Sequence, residues 1–288
     1  NQINLLAAQN TASEHSTNES SSSSVGVSIN LATGAPSLTL GMSQGEGQGD
    51  GDDLGWSNTH VSAGNTVTMI SGGDMNLIGA VVSGHKIIAD VGSLYGGNLN
   101  LESLQNKSTY DSDQESSGFN ASIGFDLSNF GGSVNASQSN ITSDYASVSE
   151  TSGIQAGDGG FNVTVKGDTR LIGAVIASTE QALQENKNSF ETGGQLTLAN
   201  LENHADYEAS GSSVTVGGSY GPDAQGKNQP KPSGSAGMGE DEGHASSTTE
   251  AGISGIAGKE DVRSGDAETG IQNNFDKDKV QKEIDAQI

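Results

Sequence analysis

The sequence predicts an all-β solenoid: a parallel β-helix carrying protruding amphipathic β-hairpins, with a short α-helix at its C-terminal end. Three observations point there. A unit of about 96 residues returns almost three times, short β-rich runs recur about ten residues apart, and large side chains are scarce. Apolar residues make up 31% of the 288 positions; ordinary domains reach about 45–50% with glycine included. The 42 glycines bring the total close to that average. A thin core repeated along an axis fits such a composition better than one wide core.

The repeat is legible from Asn98-Leu99-Asn100-Leu101, which restates Gln2-Ile3-Asn4-Leu5 and returns as Gln195-Leu196-Thr197-Leu198, at offsets of 96 and 97. Its best-matched block is Gly73–Ser83 against Gly167–Ala177, GDMNLIGAVVS against GDTRLIGAVIA, identical at seven of eleven positions. The third copy lacks this block. The repeats run over about 1–97, 98–194 and 195–270.

Within a copy, the first elements are the runs Val67–Met69, Met75–Ile78, Lys86–Ala89 and Asn98–Leu101. Copy two answers with Phe161–Val165, Leu171–Ile176 and Leu196–Leu198. Strands of this length punctuated by Gly read as successive rungs, with Gly at the tight corners.

The second kind of element is a hairpin, one per copy. Its arms are Ser24–Leu31 and Ser37–Ser43, then Gly118–Leu127 and Ser133–Ser139, then Ser213–Tyr220 and a weak Gly234–Gly239 behind a Pro/Gly loop, Gly221–Ser233. Val25, Val27, Ile29 and Leu31 alternate with small polar residues, as do Phe119, Ala121, Ile123, Phe125 and Leu127. Such arms approach the 9–11 residues of a transmembrane strand. These nine residues are the candidate membrane-facing set; the alternative is an apolar side folded back on the β-helix. The last element is a helix within 271–288, with Val280, Ile284 and Ile288 on one stripe, Asn274 as its cap, and Asp276 and Asp278 at its positive end.

A net charge of -24 excludes nucleic acid as a partner, since phosphate binding needs Lys/Arg clusters. The chain has no Cys, hence no disulfide or thiolate metal site. No signal peptide is visible, and Asn1 already lies in a strand-like pattern, so the chain is expected to begin within a longer protein. Gly41–Gly45 and Gly217–Gly221 fit G-x-S-x-G, but neither precedes a helix, as a nucleophile elbow must. Gly221–Lys227 fits G-x-x-x-x-G-K, but Asn228, Pro230 and Pro232 follow instead of Ser/Thr and a helix. Glu46–Asp53 and Glu240–Glu242 read as solvated acidic loops, the former being the strongest calcium candidate. His15, His60, His85, His204 and His244 are scattered. No catalytic set, metal site or cofactor is expected.

The two GDxxLIGAV blocks, the Leu–Gln-Asn–Ser/Thr stretch after the second rung, and the C-terminal FDKDKVQKEIDAQI resemble the contact-dependent growth-inhibition toxins of the CdiA type. More broadly the chain is similar to filamentous haemagglutinins exported by two-partner secretion. The resemblance implies a right-handed β-helix within a filament on the surface of a Gram-negative bacterium, with residues 271–288 opening the pretoxin region. It implies a non-catalytic segment that helps move a C-terminal toxin across the target bacterium's outer membrane. The alternative is a structural or adhesive filament segment. Implied partners are neighbouring segments of the same exoprotein, the secretion transporter during export and the target outer membrane. An immunity protein would concern only the toxin domain, which lies outside this sequence.

Overall fold

Runs that place Val, Ile or Leu at alternate positions can bury one face only by stacking on a similar run, and a parallel stack does so rung after rung. The computed structural model, which describes residues 1–29, 35–125, 127, 129–223 and 225–288, shows that stack. The chain opens with β1 (Ile3–Leu6), leaves the stack as β2 (Ala8–Ile29) and β3 (Pro36–Ser57), and re-enters as β4 (Thr59–Ser71). A plain rung follows, β5 (Met75–Ile78) and β6 (Ala80–Val91). Next come β7 (Leu99–Glu102), the excursion β8 (Gln105–Gly124) and β9 (Phe130–Val148), and β10 (Gly153–Val165). Then β11 (Thr169–Ile172), β12 (Val175–Ala177), α1 (Glu180–Gln184) and β13 (Ser189–Thr192) complete another plain rung. Finally β14 (Leu196–Ala199) leads to the third excursion, β15 (Leu201–Pro222) and β16 (Asn228–Thr249), and to the short β17 (Gly252–Ile253), β18 (Ala257–Gly258) and α2 (Lys277–Gln287).

Two sheets form the stack. One runs β1-β5-β7-β11-β14, parallel throughout. The other runs β4-β6-β10-β12-β17 in parallel, with β13 also on β10 and β18 closing the end antiparallel. Between them lies the core: Met75, Leu77, Ile87, Leu99, Leu101, Ile154, Phe161, Leu171 and Ile176 are wholly buried. Each such side chain contributes about 1.5–3 kcal/mol.

The repeated GDxxLIGAV block now has a physical reading. The Asp74 carboxylate accepts from the Asn98 N–H, the Asn98 side chain from the Asp168 N–H, and Asp168 from the Gln195 N–H. That ladder of turns ties each rung to the next. Leu77 and Leu171 enter the core, while Gly79 and Gly173 turn the corner at φ 60° and 49°, where a side chain would be strained. Asn4, Asn76 and Asn100 stack outside as a hydrogen-bonded ladder.

The excursions differ most from expectation. They are not separate short hairpins: six strands pair in the order β2-β3-β8-β9-β15-β16 as one antiparallel sheet, in unbroken register. Four of the strands hold 22 residues and the other two hold 20 and 19, so the sheet projects about 65–75 Å at 3.3 Å per residue. The acidic segments Glu46–Asp53 and Glu240–Glu242, expected as loops, are strand interior. The expected Gly221–Ser233 loop shrinks to the link between Pro222 and Asn228. Pro230 and Pro232 belong to β16, an edge strand, where a missing N–H costs no ladder bond. The weak third hairpin is thus full length.

The register explains the repeat length. Partners in the first sheet lie 72 positions apart from Ile3 to Met75, 24 from Met75 to Leu99, 70 from Leu99 to Thr169 and 27 from Thr169 to Leu196. One repeat is therefore two rungs, one plain and one carrying a hairpin. Two rungs rise about 9.6 Å, and a two-stranded hairpin is about 9.6 Å wide. The hairpins consequently meet edge to edge without gap or overlap.

Candidate membrane-facing sheet

Directly paired residues in an antiparallel sheet share a face, so the register assigns every side chain of the projecting sheet to one side. In the outer half one side is apolar. Val27, Leu38, Ile123, Phe130 and Tyr220 lie in one line across five strands, with Pro230 on the sixth. Val25, Leu40 and Ala121 form the next line inward, and Met42, Phe119, Val134 and Val216 the one after. Phe130 and Tyr220 stack at 5.4 Å. The other side carries Ser24, Ser28, Ser37, Thr39, Asn120, Ser122, Ser133 and Ser219 among glycines.

The apolar side does not fold back on the β-helix. Val25 is 73% exposed, Met42 66% and Leu127 78%, and Val27, Ile29, Phe119, Ile123 and Phe125 are exposed as well. Ala121 lies on the same side, half-buried. Leu31 falls outside the described residues. Sequence reasoning did not single out Leu38, Leu40, Met42, Phe130, Val134, Val214 and Val216. The alternation of Leu38-Thr39-Leu40-Gly41-Met42 held the signal for the first three.

Toward the base the same side turns acidic. Glu19, Glu46 and Glu115 are adjacent in one line, and Asp50, Asp111, Glu208 and Glu242 share another. Like charges placed directly opposite repel, which disfavours close packing of another acidic surface here. Two histidines offset this locally. His15 bonds Asp50 and holds its carboxyl below the usual range, with help from Gln48. Asp206, 3.1 Å from His244, raises the imidazole above its ordinary value, with Glu242 adding to the effect. Among the described residues no three His, Asp or Glu side chains come together as metal ligands. Glu46–Asp53 is extended, so Glu46, Asp50 and Asp52 point to one side and Asp53 to the other.

The base of the opposite side is covered by α2. Val280 and Ile284 are buried there against Ile141 and Ala209, with Tyr110, Tyr207 and Ile288 around them, and Phe275 sits between the two tyrosine rings at 5.4 and 5.7 Å. Burial lifts the Tyr207 hydroxyl's pKa, and nearby Asp241 adds to it. Two buried aliphatic side chains contribute about 1.5–3 kcal/mol each. The helix cap is Asp276, whose carboxylate accepts from the Asp278 and Lys279 N–H groups, rather than the expected Asn274. Asn274 instead donates to the Ala205 carbonyl and ties the segment to β15.

The remaining motifs settle into the architecture. Gly41–Gly45 and Gly217–Gly221 are extended segments of β3 and β15. In Gly221–Lys227, the Asp223 side chain accepts from the Gln225 and Lys227 N–H groups and closes the loop tip. His60 pairs with Glu150 at 2.7 Å and His204 with Asp144 at 3.4 Å, while His85 is exposed. Among the described residues no helix is long and apolar enough to cross a membrane, which leaves strands untouched by that test.

Several known proteins are similar to this chain in sequence. A protein named tRNA nuclease CdiA, from Escherichia coli strain NC101, is 38% identical over 200 residues, 69% of this chain and 6% of that protein. Toxin CdiA of Escherichia coli is 37% identical over 252 residues, 81% of this chain and 8% of its own length. Deoxyribonuclease CdiA of Dickeya dadantii strain 3937 is 35% identical over 219 residues, 75% of this chain and 6% of its own. The chain thus spans well under a tenth of these relatives. The family described as Hemagglutinin repeat matches residues 1–116 and 111–185, which hold β1 to β12 and so the first two hairpins, and the chain belongs to that family.

Proposed function

We propose that this chain is a non-catalytic segment of a secreted, surface-displayed toxin-delivery filament, and that the outer half of its hairpin sheet enters the target bacterium's outer membrane during contact-dependent growth inhibition. One observation carries the reading: an apolar side, shared by all three hairpins, that stands exposed among the described residues. From the line through Met42 and Phe119, opposite Ser23, out to Ile29 it runs seven residues of β2, about 23 Å at 3.3 Å per residue. Outer-membrane barrels present an apolar band about 25 Å tall. A second copy packed face to face would bring the acidic bases together, so lipid is the better partner. Six strands are fewer than the eight of small barrels, so closure would recruit hairpins from further repeats. Residues 271–288 then lead toward the pretoxin region. The nuclease names belong to whole proteins of which this chain spans about 6%, and in this reading that activity lies outside the repeat.

The test is labelling of single cysteines at Ile123 and Ser122, neighbours on opposite sides, during contact with target cells. Insertion shields Ile123→Cys from a water-soluble maleimide and leaves Ser122→Cys reactive. Equal reactivity of both throughout delivery would leave only the structural or adhesive role.

A further inference from the structure

We propose that α2 is a releasable clasp, which bridges the three hairpins on their polar side and must lift before the sheet can curl to enter lipid. The membrane part of this rests on the function proposed above. The clasp itself rests on how the helix sits. α2 runs across the strands rather than along them. Its first residue, Lys277, reaches Glu14 of β2 at 2.6 Å and lies over the Tyr110 ring of β8. Gln281 bonds Gln114 of β8 and Ser139 of β9. Beyond it, Ser213 of β15 donates to the Ile288 carbonyl, and Glu240 of β16 exchanges bonds with Gln287. One short helix therefore joins strands from all three hairpins.

The seat is shaped for it. A β-carbon at Gly211 would stand 2.4 Å from Ile284 Cγ2, at Gly237 2.8 Å from the Ile288 α-carbon, and at Gly239 2.8 Å from Gln287 Cβ. Glycine weakens a strand interior, and close approach of another element is a standard reason for keeping it there. Two features make the attachment reversible. The helix has eleven residues and only Val280 and Ile284 buried. Alone in water a helix this short is marginal, so a lifted tail loses its fold and leaves the seat empty.

Release follows on steric grounds once the curl reaches the base. If the apolar side faces lipid, the sheet curls with its polar side inward. Its strands run unbroken from the outer half to the base, so the seat of α2 curls with them. A barrel of about eight strands has room inside for side chains alone. A helix about 10 Å across cannot remain there.

Two measurements on the 288-residue chain test this. In hydrogen exchange, the amides of Lys277–Gln287 should exchange as a block, about tenfold or more faster than those of Ile141–Val148 beneath them. Exchange only together with β9 and β15 would overturn the clasp. The second measurement uses Gly211→Cys with Ile284→Cys, the only cysteines in the protein, to pin the helix. Insertion into phosphatidylethanolamine/phosphatidylglycerol vesicles is read by brominated-chain quenching of Phe119→Trp on a Trp56→Phe background. The oxidised pair should insert about tenfold more slowly than the reduced pair, and Gly211→Val, which evicts the helix, should insert faster than the parent. Equal rates for oxidised and reduced forms would refute the required release. If the reduced form and the parent take up no lipid at all, the membrane reading fails, while the clasp still stands or falls on the exchange result.

Discussion

Leu127 sits at the tip of the second hairpin with φ 56° and a side chain 78% exposed. A branched residue in the left-handed region costs about 1–2 kcal/mol, and an exposed Leu gains nothing from packing. Strain kept at an exposed apolar tip suits a residue that meets its partner elsewhere. Leu127→Gly is expected to stabilise the tip by about 0.5–1 kcal/mol after glycine's own entropic cost. Slower amide exchange at Gly124 and Phe125 would show this, alongside weaker vesicle uptake. At the base, His244 offers a charge test. Asp206 raises its pKa above about 6.5, so the contact stabilises fully below that value and is lost as pH rises through the folded-state midpoint. An NMR titration should place the His244 midpoint above 6.5, and Asp206→Asn should move it down. An unmoved midpoint would mean that another group sets it.

Among elements, the rungs were the most legible from sequence. Val, Ile and Leu alternate there because each rung buries one side, and Gly79 and Gly173 mark corners that demand positive φ. The outer hairpin arms were legible from the same alternation, although there it marks an exposed side. Their inner halves were not, because stretches such as Asn18–Ser24 and Gly45–Asp53 show no apolar alternation and have low β propensity. Pairing on both sides with neighbouring strands imposes the extended state on β3, information that no local window contains. The helix was legible as a stripe but not as a contact. Asn274 and Asp276 both suit a cap, and the choice between them follows from Asn274 reaching Ala205. The seat depends on Gly211, Gly237 and Gly239, which only the register brings under one helix. Ile284→Ala should weaken the docked helix by about 2–4 kcal/mol, seen as faster exchange of Lys277–Gln287 with the rung amides unchanged.

At the scale of the whole molecule, two systems of hydrogen bonds run side by side: parallel rungs in the rod and antiparallel strands in the projecting sheet. They share one spacing, and that coupling can be tested by deletion. Removing 75–98, one plain rung, should leave the rod's contacts intact but bring β3 and β8 into conflict, with aggregation or loss of the outer sheet. Removing a full unit, such as 98–194, should leave a folded protein with two hairpins and a proportionally smaller circular-dichroism signal. Equal tolerance of both deletions would show that sheet and rod are independent.

That shared spacing also governs how such a gene can change. Unequal crossing-over adds or drops whole repeats, and each 96-residue step would widen the sheet and lengthen the rod by the same ~10 Å. Copy number can therefore drift freely between lineages without spoiling either lattice, while a slip of one rung would misalign every hairpin beyond it. Selection on the width of the projecting sheet would then be read out as the number of repeats, in integral steps of two strands.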